Sequence, residues 1–117
     1  MIAPGKKLGK DIEAQAVVTV KNPHGLHARP ASLLIKAISA FDCEVLVEQG
    51  DCKANAKSIF GLLSLAAGYD TKLTFTAQGS DARSAIEEIR KLFERDFAEA
   101  YQAETENLIQ RGIRKQT

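Results

Sequence analysis

The chain has 117 residues, 44% hydrophobic and 26% charged, which suffices for one compact domain with its own core. A formal net charge of +1 gives no general attraction to nucleic acid or an anionic membrane, and no apolar run reaches the length of a membrane span. The opening residues, Met1 to Lys10, are polar and lack the apolar centre of a secretory signal, so a cytoplasmic location is expected.

Residues 1–15 contain Pro4, Gly5, Gly9, Lys6, Lys7 and Lys10 with little hydrophobic periodicity, and they read as a flexible N-terminal extension. A first strand follows over Ala16 to Val20, closed by the turn-rich Lys21-Asn22-Pro23-His24-Gly25. A helix is predicted from about Ala28 to Ala40. Ala28, Ala31, Leu34, Ile35 and Ile38 form its apolar face, and Phe41 lies just past its end.

Cys43 to Glu48 alternates as a strand, turns near Gln49-Gly50-Asp51 and returns antiparallel over Cys52 to Ala56. This hairpin sets Cys52 opposite a residue near Glu48, roughly 15 Å along the strand from Cys43. A disulfide needs Cα atoms within about 7 Å, so two free thiols are expected. A short helix is predicted from Ser58, its N-cap, to about Ala67, with Gly68 as its stop. Ile59, Phe60, Leu62, Leu63 and Leu65 surround most of this helix, more than one packing face can bury, so part of it should form an exposed apolar patch.

Leu73, Phe75 and Ala77 alternate with Lys72, Thr74 and Thr76 as a final strand with one buried face. Ser80 or Asp81 then caps a long helix in which Ala82, Ile86, Ile89, Phe93 and Phe97 recur at helical spacing. The order is β-α-β-β-α-β-α, an α+β fold with a four-stranded antiparallel sheet and three helices on one face. One domain thus spans residues 16–97. In the extension 98–117, Tyr101, Leu108 and Ile109 fit either a continuation of the last helix or a segment packing back, with Gly112 as an end point.

Chemistry concentrates in Gly25-Leu26-His27-Ala28-Arg29-Pro30-Ala31, where strand gives way to helix. The first N–H groups of a helix lack intrahelical partners, and the helix dipole adds partial positive charge there. Pro30 suits a first turn, because it forfeits only an N–H that would be unpaired anyway. His27 supplies a nucleophile and Arg29 a planar guanidinium that matches phosphate oxygens. With the backbone N–H groups of Ala28 and Arg29, these residues compose a site for a covalently held phosphoryl group. His24, three positions before His27, straddles the loop with no carboxylate or thiol beside it, so no metal site is expected.

At these residues the chain resembles HPr, the histidine-containing phosphocarrier family of the bacterial phosphoenolpyruvate-dependent phosphotransferase system. The family motif Gly-(Leu or Ile)-His-Ala-Arg-Pro-Ala is matched in full. A second family block, Lys57-Ser58-Ile59-Phe60-Gly61-Leu62-Leu63-Ser64-Leu65, stands at the family's spacing, and the similarity runs from about Ala14 to Phe97. The resemblance implies an open-faced sandwich fold and a carrier rather than an independent enzyme, needing no cofactor. It implies that His27 takes a phosphoryl group on Nδ1 from phosphorylated Enzyme I, stabilised by Arg29 and the N–H groups of Ala28 and Arg29. The group then passes to the A component of an enzyme II or to a regulatory relative. Ser58 coincides with the serine that HPr kinase/phosphorylase modifies in many members. Ile59, Phe60, Leu62 and Leu63 fall where partners dock beside the histidine.

Three functions are compatible with these residues: a sugar-uptake carrier, a signalling carrier of the nitrogen-branch type, and a regulatory module that transfers nothing. Lys57-Ser58-Ile59 favours the first; Phe41-Asp42-Cys43-Glu44-Val45 and Lys91-Leu92-Phe93 are compatible with the second. Regulatory paralogues of the third kind replace the active-site histidine, and the presence of His27 counts against it.

Overall fold

A computed structural model describes residues 12–110, in the order β1 (Ile12–Thr19), α1 (Ala28–Ile38), β2 (Glu44–Gln49), β3 (Cys52–Asn55), α2 (Ile59–Ser64), β4 (Lys72–Gly79), α3 (Ala82–Glu94) and α4 (Ala98–Gln110). The strands form one antiparallel sheet in the order β1-β4-β2-β3. The inward faces of β1, β2 and β4 carry Ala16, Val18, Val45, Val47, Leu73, Phe75 and Ala77, all buried against the helices. The opposite sheet face leaves Val17 and Leu46 exposed. The expected α+β open-faced sandwich is therefore the observed one.

Several boundaries differ from those the sequence suggested. β1 starts at Ile12, so residues 12–15 are strand and not extension; they pair with Gly79, Gln78, Ala77 and Thr76 of β4. Ile12 and Ala14 are half-buried and alternate with exposed Glu13 and Gln15, a period too weakly apolar to read as strand by itself. The rest of the expected extension, 1–11, lies outside the described residues. In α1 the inward face includes Leu33, whereas Ala28 is exposed.

The β2–β3 turn is two residues, Gly50-Asp51, which pairs Cys52 with Gln49 and leaves both cysteines as free thiols. Burial pushes the Cys43 thiol above its ordinary pKa, against the opposing pull of Lys57. The Lys57 ammonium donates to the carbonyls of Phe41, at 3.1 Å, and Cys43, at 2.7 Å, tying the α1–β2 connection to the segment before α2.

At the far end of β4, Gly79 has φ +144°, and a Cβ there would stand 2.7 Å from the Cys43 Cα and 2.8 Å from the Asp42 carbonyl. Only glycine admits so close a crossing. Asp81 occupies the N-cap position of α3, yet its side chain makes no capping bond. Its Oδ2 instead accepts the Asp42 N–H at 2.7 Å, joining the start of α3 to the entry of β2.

The long last helix is two helices. α3 closes at Arg95, followed by Asp96 at φ 49° and Phe97 at φ 62°. The Phe97 N–H reaches back to the Leu92 carbonyl at 2.7 Å and the Asp96 N–H to the Phe93 carbonyl at 3.3 Å. This pairing is the Schellman helix ending, with an apolar residue in its last position. Phe97 is buried, its ring 5.0 Å from that of Phe93, and the chain turns there into α4. The extension is thus helical over Ala98–Gln110 and adds a fourth helix to the three expected. Gly112 lies outside the described residues. No described helix is long and apolar enough to cross a membrane.

Candidate functional site

The loop between β1 and α1 is held from several sides. The Asn22 side chain accepts the His24 N–H at 2.8 Å, and its carbonyl accepts the Gly25 N–H at 2.8 Å. Gly25, at φ +78°, passes so close to the chain beyond α2 that a Cβ would lie 2.6 Å from the Ala67 carbonyl. That same carbonyl accepts the Leu26 N–H at 2.8 Å. Leu26 is buried, which anchors the loop one residue before His27.

His27 is the N-cap of α1, in extended backbone conformation, and its carbonyl accepts the Ala31 N–H at 3.0 Å. Its side chain makes no capping hydrogen bond and is exposed. Ala28 and Arg29 hold the first two helical positions, where backbone N–H groups have no intrahelical acceptor, and buried Pro30 follows. The motif residues thus stand together as their spacing suggested: an exposed imidazole, helix-start N–H groups and a guanidinium. His24 lies beside them, its ring centroid 6.2 Å from that of His27 in an edge-on arrangement. Among the described residues no group of three or more His, Cys, Asp or Glu side chains is placed to hold a metal.

The Arg29 side chain is exposed, and its guanidinium lies over the Tyr101 ring of α4, 4.6 Å from the centroid. Sequence reasoning missed this contact. Tyr101 lies beyond the family motifs, and its approach to Arg29 depends on the turn at Asp96 and Phe97, which leaves no periodic signal.

α2 packs against α1 and begins at Ser58, whose Oγ accepts the Gly61 N–H at 3.1 Å as the expected N-cap. Of the four residues predicted to dock partners, Phe60 is 82% exposed and Leu63 38%, and Ile59 is partly buried. Leu62 is fully buried and belongs to the core, which corrects its assignment to the docking patch. α2 also ends sooner than expected, at Ser64, with Ala66 and not Gly68 in the left-handed conformation, φ 51°.

The family profile described as PTS HPr component phosphorylation site matches residues 14–95. The phosphocarrier protein HPr of Treponema pallidum is 39% identical over 82 residues, 70% of this chain and 93% of that protein. The phosphocarrier protein NPr of Shewanella violacea is 42% identical over 83 residues, 71% of this chain and 91% of its own. Among solved structures, an HPr from Thermoanaerobacter tengcongensis superposes with a TM-score of 0.69 at 37% identity, covering 72% of this chain and 94% of that one. The match spans the exposed histidine at the start of α1, Arg29 beside it, β1 from Ala14 onward, β2 to β4 and α1 to α3, and on it the chain belongs to the HPr family of phosphotransferase-system phosphocarriers.

Proposed function

We propose that His27 is the residue that carries the phosphoryl group. Its Nδ1 attacks the phosphorus of phosphorylated Enzyme I; the new N–P bond forms as the donor's N–P bond breaks, and the donor histidine leaves as neutral imidazole after proton balance with solvent. The group then passes by the same in-line exchange to the A component of an enzyme II in the cytoplasm. Such transfer depends on positioning and charge stabilisation, for which Arg29 and the N–H groups of Ala28 and Arg29 are the candidates. The observation that carries this reading is the exposed His27 imidazole, unused as a cap, at a helix start beside Arg29. HPr kinase/phosphorylase acting on Ser58 is a further proposed partner.

The test mixes the full chain with phosphoenolpyruvate and Enzyme I. One acid-labile, base-stable phosphoryl group should form per chain and be absent from His27→Ala. Label retained by a folded His27→Ala protein would refute the assignment. A signalling role is the second reading, favoured by the 42% identity to an NPr. It predicts that the phosphorylated chain discharges to a regulatory acceptor of the host and not to its sugar-specific A components.

A further inference from the structure

We infer that Tyr101, on the helix beyond the family match, is a positioning residue for Arg29 in phosphotransfer. The family profile ends at residue 95, and Tyr101 follows the turn that starts α4. Its place is fixed by the backbone. The Asp96–Phe97 ending buries the Phe97 ring beside Phe93, and the Tyr101 N–H bonds to the Phe97 carbonyl at 3.0 Å. One helical turn further on, the Thr105 hydroxyl donates to the Tyr101 carbonyl at 3.0 Å. On the other side, the Lys21 ammonium donates to the Glu94 carbonyl at 3.3 Å, linking the chain end of α3 to the loop that leads to His27. The half-buried Tyr101 ring is therefore held by α4, while the Arg29 guanidinium that meets it is exposed and borne on a long side chain.

Stacking engages one face of a guanidinium and leaves its N–H donors in the plane, where phosphoryl oxygens bond. A ring under Arg29 therefore removes side-chain freedom while itself engaging only the guanidinium face. Less freedom is then lost when the charged group meets the phosphoryl oxygens during transfer. An exposed stack of this kind supports an effect of about two- to fivefold. Lysine cannot substitute, since it has neither the flat face nor the planar fork.

The inference rests on the reading of His27 as the phosphoryl acceptor, so one of its measurements involves no phosphate. In the unphosphorylated full chain, the NMR order parameter of the Arg29 Nε–H should fall in Tyr101→Leu and be kept in Tyr101→Phe. Transfer from Enzyme I to the chain, at saturating donor, should slow about two- to fivefold in Tyr101→Leu. Tyr101→Phe, which keeps the ring, should restore most of that loss. Combined with Arg29→Lys, Tyr101→Leu should slow transfer no further. Circular dichroism of each variant reports whether α4 is retained. An unchanged Arg29 order parameter overturns the inference whatever happens at His27. So does equal slowing by Tyr101→Leu in the Arg29 and Lys backgrounds, which would mark a structural role. Faster transfer in Tyr101→Leu overturns it as well, by showing that the ring withholds the guanidinium. A wild-type chain that takes no phosphoryl group at His27, with Arg29 still ordered by Tyr101, would locate the failure in the functional reading.

Discussion

Arg29 stands at the first turn of α1 with its charge stacked on an aromatic ring and its side chain exposed, so its removal opens no cavity in the core. Arg29→Ala should therefore keep the fold, its contact with the Tyr101 ring being worth about 1 kcal/mol. Phosphotransfer, by contrast, should slow roughly 10²-fold, the scale for deleting one group that stabilises transition-state charge. Stopped-flow transfer rates set against urea midpoints separate the two effects. Unchanged rates in both directions would remove Arg29 from the site. His27 and Arg29 were legible in the sequence because a helix start is a local feature: a turn-rich loop, a first-turn proline and an apolar period after it place both residues without tertiary knowledge. Leu62 was not, since an apolar residue on a short helix surrounded by apolar residues carries no mark of which side faces the sheet.

At the level of elements, the short α2 and the α3–α4 corner solve the same problem at different cost. Both bring non-glycine residues into left-handed backbone, Ala66 after α2 and Asp96 with Phe97 after α3. At the corner the Phe97 ring is buried, a gain of about 2 kcal/mol that offsets the strain of its backbone. Ala66 is exposed and buries nothing in exchange. Ala66→Gly should accordingly stabilise the protein by about 1 kcal/mol, less the entropy that glycine adds to the unfolded chain. The urea midpoint should rise with an unchanged m-value, and a midpoint at or below that of the wild type would show that the left-handed turn is not strained. The left-handed residues also end α2 at Ser64 and α3 at Glu94, short of where the sequence pattern points. The sequence places Gly68 after α2 and the apolar spacing runs on through Phe97, but helix ends are decided by backbone bonds such as that from Phe97 to Leu92. The β2–β3 hairpin and the buried faces of β2 and β4 were legible, because their period of two is unbroken. The pairing of β4 with β1 and β2 leaves no local signal, and on α3 the buried Ala85 and Leu92 lie outside the spacing read from the sequence.

For the molecule as a whole, the packing of α1 on α2 and the bond from Leu26 to Ala67 join the His27 loop to the helix that carries Phe60. A partner that reaches His27 would meet a surface in which Phe60 and Leu63 are exposed and Ser58 begins the helix. Desolvation of Phe60 would supply much of the affinity, as exposed aromatic anchors commonly do. A phosphate on Ser58 adds up to about two negative charges beside that anchor, and these must shed water or face acidic groups when the partner docks. Ser58 also caps α2 through Gly61, so its substitutions mix two effects that must be separated. Aspartate is as good an N-cap as serine and adds one charge, whereas alanine adds none and loses the cap at about 1 kcal/mol. Ser58→Asp should thus keep the wild-type urea midpoint and raise the Michaelis constant for Enzyme I. Ser58→Ala should lower the midpoint and leave the Michaelis constant near the wild-type value. The phosphorylated protein should exceed Ser58→Asp in its kinetic effect, having about twice the charge. Titrating Enzyme I with all four forms tests the proposal: a Michaelis constant that follows stability and not charge would leave Ser58 as a helix cap with no part in partner choice.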